Sequence, residues 1–116
     1  MVRVDDDVES GTLRIAVAYE RFFAAKDYDF IINVQGDEPL LGGADLERLV
    51  QFHRDSAFDV ATLLKKETDQ AEFKNPNRVK AVFTQKTGEC HYFSRSPVPF
   101  DRDDTQSPWW LHVGVY

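Results

Sequence analysis

Cysteine is almost absent from this sequence of 116 residues, in which Cys90 is the only one. A single cysteine cannot form a disulfide bond within the chain, and no secretory leader pattern opens the sequence, so we expect a reducing, cytoplasmic location. No apolar run approaches the roughly 20 residues that a membrane-spanning helix needs. We therefore expect a protein without a membrane partner.

Basic residues are also scarce. The chain has 14 Lys and Arg against 20 Asp and Glu, a formal net charge of −6. This balance argues against a nucleic-acid partner bound through a broad basic face, but it allows a local basic pocket for one phosphate. Hydrophobic residues make up 42% and aromatics 13%, which is enough for the core of one small globular domain. The length is short for an enzyme that must enclose two substrates.

Helix and strand patterns alternate along the chain. Apolar residues recur at helical spacing over residues 11–26, with Ser10 as the N-cap, and over 43–56. Short apolar runs predict strands at 30–34, 60–64, 79–83, 91–93 and 109–116. The first run has no polar alternation, which is typical of a strand covered on both faces. We expect an open α/β fold with a mixed, mainly parallel sheet and flanking helices.

The stretch Gln35-Gly-Asp-Glu38 directly follows the first predicted strand. Ligands of open α/β sheets collect at the carboxyl ends of strands, and Asp37 there offers a hard oxygen to Mg²⁺, whose remaining positions substrate phosphates can fill. Glu38 is a weaker metal candidate. The alternative is a turn before Pro39 that leads into a helix, and spacing alone favours this alternative.

A proline-rich segment, residues 94–108, predicts a long loop that carries two arginines, Arg95 and Arg102, with Lys80 upstream. Guanidinium groups bind phosphate or carboxylate through two parallel hydrogen bonds. Arg102 could instead form surface ion pairs with neighbouring aspartates, whereas Arg95 has no acidic residue beside it.

His112 and Tyr116 are four residues apart, so they would share one face of a single strand. Both side chains can hydrogen-bond a polyhydroxylated ligand. Both could equally be satisfied core or edge residues, and the sequence leaves these alternatives open.

Four motifs in this order resemble the 3-deoxy-manno-octulosonate (Kdo) cytidylyltransferases: VQGDEPL at 34–40, NPNRVKAV at 75–82, YFSRSPVPFDRD at 92–103 and LHVGVY at 111–116. SGTLR at 10–14 is similar to a further segment of that family, except that Leu13 replaces an acid. The resemblance covers nearly the whole chain. The acylneuraminate cytidylyltransferases, which share the fold and chemistry, are an alternative relative.

The resemblance implies a Rossmann-like nucleotidyltransferase fold and a Mg²⁺-dependent enzyme that joins CTP and Kdo into CMP-Kdo for lipopolysaccharide biosynthesis. It also implies a possible homodimer. Asp37 would bind the metal, and Asp37 and Arg95 would be catalytic. Residues implied for the sugar are Gln35, Arg95, Arg102, His112 and Tyr116, and those implied for the nucleotide are Ser10, Thr12 and Arg14.

The resemblance also leads us to expect that residues 1–116 are the central part of a single cytidylyltransferase domain. The family's glycine- and arginine-containing phosphate loop and its second metal-binding aspartate have no counterpart here. We therefore expect no turnover by this chain alone. The alternatives are a non-catalytic domain that binds sugar acids and an unstable remnant with exposed strand edges.

Overall fold

The computed structural model describes residues 1–36, 38 and 41–116. These residues form two compact units. The first unit comprises Met1–Ala61 together with Gly114–Tyr116, and the second unit comprises Thr62–Val113. In the described part of the chain, no helix is long and apolar enough to cross a membrane.

The described residues of the first unit form two helices, α1 (Gly11–Phe22) and α2 (Gly43–Asp55). Both confirm predicted helices, although α1 ends four residues earlier than the expected residue 26. The predicted N-cap is also confirmed, because the Ser10 hydroxyl accepts a hydrogen bond from the Leu13 amide at 3.2 Å. The carboxylate of Asp45 accepts a hydrogen bond from the Gly42 amide at 3.3 Å and so stabilises the start of α2.

Residues 30–34 were expected to form a strand of a parallel sheet, and this expectation is wrong. The segment makes one isolated antiparallel bridge, between Val34 and Val115. Two backbone hydrogen bonds extend this contact on one side. The Asn33 amide donates to the Tyr116 carbonyl at 2.7 Å, and the Tyr116 amide donates to the Asn33 carbonyl at 3.1 Å. The side chains are not covered on both faces either, because Ile31 is 53% exposed. Val115, by contrast, is fully buried in this unit.

The second unit is a four-stranded sheet with one short helix. Its elements are β1 (Leu63–Glu67), α3 (Gln70–Lys74), β2 (Lys80–Phe83), β3 (Cys90–Ser94) and β4 (Trp109–Val113). The strand order is β1-β4-β2-β3, and every neighbouring pair is antiparallel. The mainly parallel arrangement that we expected is therefore wrong for this sheet, whereas the α/β class is confirmed.

The position of β4 explains the error. Because β1 and β2 are each antiparallel to β4, they run in the same direction, as two strands joined through a helix usually do. However, the last strand of the unit lies between them and pairs with both. β1 also begins three residues later than the predicted residue 60, and two of its residues, Lys65 and Lys66, are exposed.

Aromatic side chains form the core of the second unit. Phe73 of α3 and Trp109 of β4 are 7% and 3% exposed, and their ring centroids lie 5.6 Å apart. The Trp109 indole N–H donates a hydrogen bond to the Asp69 carbonyl at 3.1 Å, which satisfies the polar end of the buried ring. The same Asp69 caps α3 through its carboxylate, so one residue fixes both the helix start and the indole.

Candidate functional site

Gly114 connects the segment around Gln35 with the end of the chain inside the first unit. The Gln35 amide donates to the Gly114 carbonyl at 2.9 Å, and the Gly114 amide donates to Oε1 of Glu38 at 2.9 Å. A side chain at position 114 would collide with Gln35, because an added Cβ would lie 2.5 Å from its Oε1 atom. Glycine is therefore required for this close approach, and Glu38 is more than the turn residue that the sequence indicated.

Asp37, for which we predicted the Mg²⁺ ligand role, lies outside the described residues. Within residues 1–36, 38 and 41–116, no group of three or more His, Cys, Asp and Glu side chains could hold a metal ion. The neighbouring carboxylate of Glu38 accepts the Gly114 amide, which gives it a structural role. The described donors thus do not form a metal site by themselves.

Thr12 and Tyr116 lie together in the first unit, with 2.7 Å between their hydroxyl oxygens. The sequence implied a nucleotide role for Thr12 and a sugar role for Tyr116. Both residues line a cavity of about 440 Å³ whose other walls include Ile15 and Leu49. A pair of hydroxyl groups beside apolar walls can hydrogen-bond a polyhydroxylated ligand while the walls contact its apolar faces.

The other two residues implied for the nucleotide have structural contacts in the same unit. Ser10 caps α1, as described above. The Nη1 group of Arg14 donates to the backbone carbonyls of Val4 and Asp6, the second at 3.1 Å, and so holds the segment that precedes the helix. Nucleotide contacts of Ser10 and Arg14 stay predictions.

That preceding segment is fixed by an ion pair as well. Arg21 makes two hydrogen bonds to the carboxylate of Asp6, at 2.9 and 3.1 Å. The Arg21 guanidinium lowers the pKa of Asp6 below its usual range, because it hydrogen-bonds the ionised form.

Arg95 follows β3 in the second unit and is exposed. Its Nη1 group donates to the Pro76 carbonyl at 3.0 Å, which joins the motifs NPNR and YFSR. Among the described residues, no ion pair or hydrogen bond engages its Nε–Nη2 edge. This edge can therefore accept a carboxylate or phosphate with two parallel hydrogen bonds.

Arg102 is also exposed, and its ion-pair partner is a neighbouring surface carboxylate. It lies 3.9 Å from the carboxylate of Asp103, with 88% and 80% of the two side chains exposed. The surface ion pair that we considered as the alternative for Arg102 is thus present, and pairs of this kind are weak. Binding of the sugar by Arg102 stays a prediction.

His112 is satisfied by contacts within the second unit. Its Nε2 lies 2.9 Å from the Thr62 hydroxyl, and its ring centroid lies 5.0 Å from that of Phe93. These contacts match the alternative of a satisfied core residue, since β4 lies inside the sheet between β1 and β2. The expected sharing of one strand with Tyr116 is not found, because β4 ends at Val113.

Lys80, the cation upstream of the two arginines, is buried. The residue is 0% exposed, and its ammonium donates to three backbone carbonyls. Burial lowers the pKa of Lys80, because desolvation penalises the charged form. A lysine between Val79 and Ala81 in a strand was the available signal, since a charge in an apolar run must find buried partners.

The implied sugar residues are thus distributed over both units. Gln35 and Tyr116 belong to the first unit, and Arg95, Arg102 and His112 belong to the second. The structure joins Thr12 with Tyr116 and joins Gln35 with Gly114. Sequence reasoning missed two polar contacts, those of Glu38 and Lys80, because their partners are backbone groups.

Comparison with known proteins gives a consistent result. The 3-deoxy-manno-octulosonate cytidylyltransferase of Vesicomyosocius okutanii is 41% identical over an alignment of 115 residues, and the alignment covers 97% of this chain and 46% of that protein. The 8-amino-3,8-dideoxy-manno-octulosonate cytidylyltransferase of Shewanella halifaxensis is 38% identical over an alignment of 118 residues, gaps included, and the alignment covers 100% of this chain and 47% of that protein. The chain therefore spans about half the length of the curated relatives it matches.

A solved structure is similar as well. The structure of CMP:2-keto-3-deoxy-manno-octonic acid synthetase complexed with CTP superposes with a TM-score of 0.79 and is 38% identical. The match covers 94% of this chain and 43% of the other. A family model described as cytidylyltransferase matches residues 1–116. The chain belongs to the cytidylyltransferase family.

Proposed function

We propose that this chain is part of an enzyme that transfers CMP from CTP to Kdo, giving CMP-Kdo and pyrophosphate for lipopolysaccharide biosynthesis. The observation that carries this proposal is the 41% identity with a 3-deoxy-manno-octulosonate cytidylyltransferase over 97% of the chain. The match with a solved CMP:2-keto-3-deoxy-manno-octonic acid synthetase, at a TM-score of 0.79 and 38% identity, also supports it.

In the proposed reaction, the anomeric hydroxyl of the sugar attacks the α-phosphorus of CTP. A new bond forms between the sugar oxygen and this phosphorus, and the hydroxyl proton passes to solvent. The bond between the α-phosphorus and the oxygen that bridges to the β-phosphate breaks, and pyrophosphate leaves with the electron pair. Catalysis of such a transfer depends on alignment of the two reactants and on stabilisation of phosphate charge. The protein groups must therefore bind and orient rather than react.

Arg95 is the residue best suited to bind the sugar carboxylate. Its guanidinium is exposed, is held on one side by the Pro76 carbonyl, and offers its Nε–Nη2 edge. A cation held in this way loses little conformational freedom when it binds a carboxylate. Thr12 and Tyr116 would supply hydroxyl groups to the nucleotide and the sugar, respectively, and Gln35 would lie beside the sugar.

A divalent metal would neutralise charge on the phosphates of CTP, and Asp37 remains the residue we propose as a Mg²⁺ ligand. The described residues do not provide a metal site by themselves. We also propose a cytoplasmic enzyme, a homodimer and small-molecule substrates, without a nucleic-acid or membrane partner.

A chimera tests the proposed function. This chain would replace the matching segment of the Vesicomyosocius okutanii relative, and pyrophosphate release would be measured with CTP and Kdo. We expect turnover in the chimera and none in the isolated chain. A folded chimera without turnover would contradict the proposal.

The same chimera distinguishes the two sugar substrates named for the relatives. Activity would be compared between Kdo and the 8-amino-3,8-dideoxy sugar, since a relative that carries the second name is 38% identical to this chain. We expect the higher kcat/KM with Kdo. Asp37→Asn in the chimera tests the metal role, and unchanged turnover in this variant would reject it.

A further inference from the structure

Lys80 is a fully buried cation whose hydrogen bonds all go to the backbone. Its ammonium donates to the carbonyls of Asn75 at 2.8 Å, Arg78 at 2.9 Å and Arg95 at 2.9 Å. The side chain is 0% exposed, and among the described residues no ion pair includes it. Three donors thus meet three acceptors, which is the complete hydrogen-bonding capacity of an ammonium group.

Two aromatic rings complete the surroundings of this cation. The Nζ atom lies 6.0 Å from the ring centroids of both Phe73 and Trp109, at a distance where ring faces attract cations. Carbonyl dipoles and aromatic rings therefore replace the water that the ammonium loses on burial. A ligand phosphate could not reach Lys80 without displacing this shell, so a direct contact with substrate is excluded.

The three carbonyls belong to two segments that are distant in the sequence. Two of them lie in the turn at residues 75–78, and the third belongs to Arg95, directly after β3. The same turn also contacts the Arg95 side chain, because the Pro76 carbonyl accepts from Nη1 at 3.0 Å. Arg95 is thus held twice against one turn, at its backbone by Lys80 and at its guanidinium by Pro76.

The turn has internal contacts of its own that make it a firm support. Glu72 accepts hydrogen bonds from the side chains of Asn75 at 3.3 Å and Arg78 at 2.6 Å. The carboxamide of Asn75 also accepts from the Asn77 amide at 2.9 Å. Without the ammonium, the carbonyl groups of Asn75, Arg78 and Arg95 would point toward one another with no donor between them. Since carbonyl dipoles repel one another, the connection between turn and arginine would open.

We infer that Lys80 is the positioning residue of Arg95, which it fixes through the backbone so that the Nε–Nη2 edge of the guanidinium can bind the carboxylate of a sugar acid. The inference about the ligand rests on the proposed function. The inference about position rests only on the geometry of the second unit. Lys80 acts through Arg95 and does not touch the substrate.

The test compares Lys80→Met with Lys86→Met in the full chain. Methionine is similar in length to lysine but cannot donate, and Lys86 is an exposed lysine between β2 and β3. The first measurement is the NMR signal of the Arg95 Nη1–H group, which donates to the Pro76 carbonyl, assigned with Arg95→Lys, at a temperature where circular dichroism shows the variants folded. The second is the affinity for Kdo, measured by titration.

We expect the Arg95 signal of Lys80→Met to move toward the position of a solvated arginine. The affinity for Kdo should fall about tenfold or more, since a hydrogen bond to a charged group contributes that much. Lys86→Met should change neither. A folded Lys80→Met with the wild-type Arg95 signal and affinity would overturn the inference, because Lys80 would then be only structural.

Two further results keep the test decisive. If Lys80→Met does not fold, Lys80→Arg takes its place, because a planar guanidinium cannot direct three hydrogens from one atom to three carbonyls. An unchanged Arg95 signal in that variant would also overturn the inference. If the wild-type chain binds no Kdo while the Arg95 signal moves in the variant, the sugar-binding role fails and the positioning role stands.

Discussion

The amide of Gly114 donates a 2.9 Å hydrogen bond to the carboxylate of Glu38. A hydrogen bond to a charged acceptor contributes about 1.5 kcal/mol or more. Glu38→Ala should therefore raise the hydrogen-exchange rate of the Gly114 amide about tenfold, as NMR would measure. Glu47→Ala, at an exposed glutamate of α2, is the control and should leave this rate unchanged. Equal rates in both variants would show that Glu38 does not hold the amide.

Gly114→Ala should destabilise the first unit. The added Cβ would lie 2.5 Å from Oε1 and 3.1 Å from Cβ of Gln35, so the whole Gln35 side chain must move. Overpacking of this kind costs about 1–3 kcal/mol. Urea unfolding followed by far-UV circular dichroism measures the loss, because α1 and α2 both belong to this unit.

The matched control for this substitution is Gly43→Ala. Gly43 is the first residue of α2, and an added Cβ there meets nothing within 4 Å. Alanine restricts the unfolded chain more than glycine does, so we expect no loss and at most a gain of about 0.5–1 kcal/mol. If Gly114→Ala behaved like Gly43→Ala, Gln35 would not require the space that glycine leaves.

The helices were predictable because their signals are local. The helical spacing of apolar residues and the N-cap at Ser10 lie within each segment, and α1 and α2 begin where the sequence indicated. The pairing of residues 30–34 was not predictable in this way. Its partner, Val115, lies near the other end of the chain, and β-branched composition reports strand propensity but not the partner or its direction.

The same distinction between local and distant contacts applies to the candidate site. Arg95 could be selected from the sequence, because a cation without acidic neighbours in a proline-rich loop suggests an anion-binding group. The role of Lys80 could not, because its three acceptors are backbone carbonyls, which every residue has. Similarly, the sequence indicates only a turn role for Glu38, because its hydrogen bond with the distant Gly114 amide is visible only in the structure.

The hydroxyl groups of Thr12 and Tyr116 should be energetically coupled. They lie 2.7 Å apart, and a hydrogen bond of this type contributes about 0.5–1.5 kcal/mol to stability. A double-mutant cycle with Thr12→Val and Tyr116→Phe, measured by urea unfolding, should give a coupling energy in that range. The control cycle combines Thr12→Val with Tyr92→Phe, because Tyr92 is 59% exposed and belongs to the other unit. Coupling energies near zero in both cycles would contradict the contact.

Asp101 should make the loop that carries Arg102 sensitive to acid. Its carboxylate accepts hydrogen bonds from the amides of Thr105 and Gln106, each at 3.0 Å. The bond from the Thr105 amide is the main reason that the pKa of Asp101 lies below the usual value for an aspartate, because it stabilises the ionised form. Because the folded-state pKa is lowered, the loop is stabilised at pH values above 3.8 and loses this stabilisation as the pH falls through the folded-state pKa.

NMR titration of the Thr105 and Gln106 amides measures this transition. Both signals should shift together as the pH falls through the folded-state pKa of Asp101, which lies below the usual value for an aspartate. Asp101→Asn should abolish the shared transition, because the asparagine side chain cannot ionise. The control Asp103→Asn should preserve it, because Asp103 is 80% exposed and, among the described residues, its ion pair is with Arg102. A shared transition that survives in Asp101→Asn would assign the acid sensitivity to another carboxylate. The loop around Arg102 would then be held by contacts other than the carboxylate of Asp101.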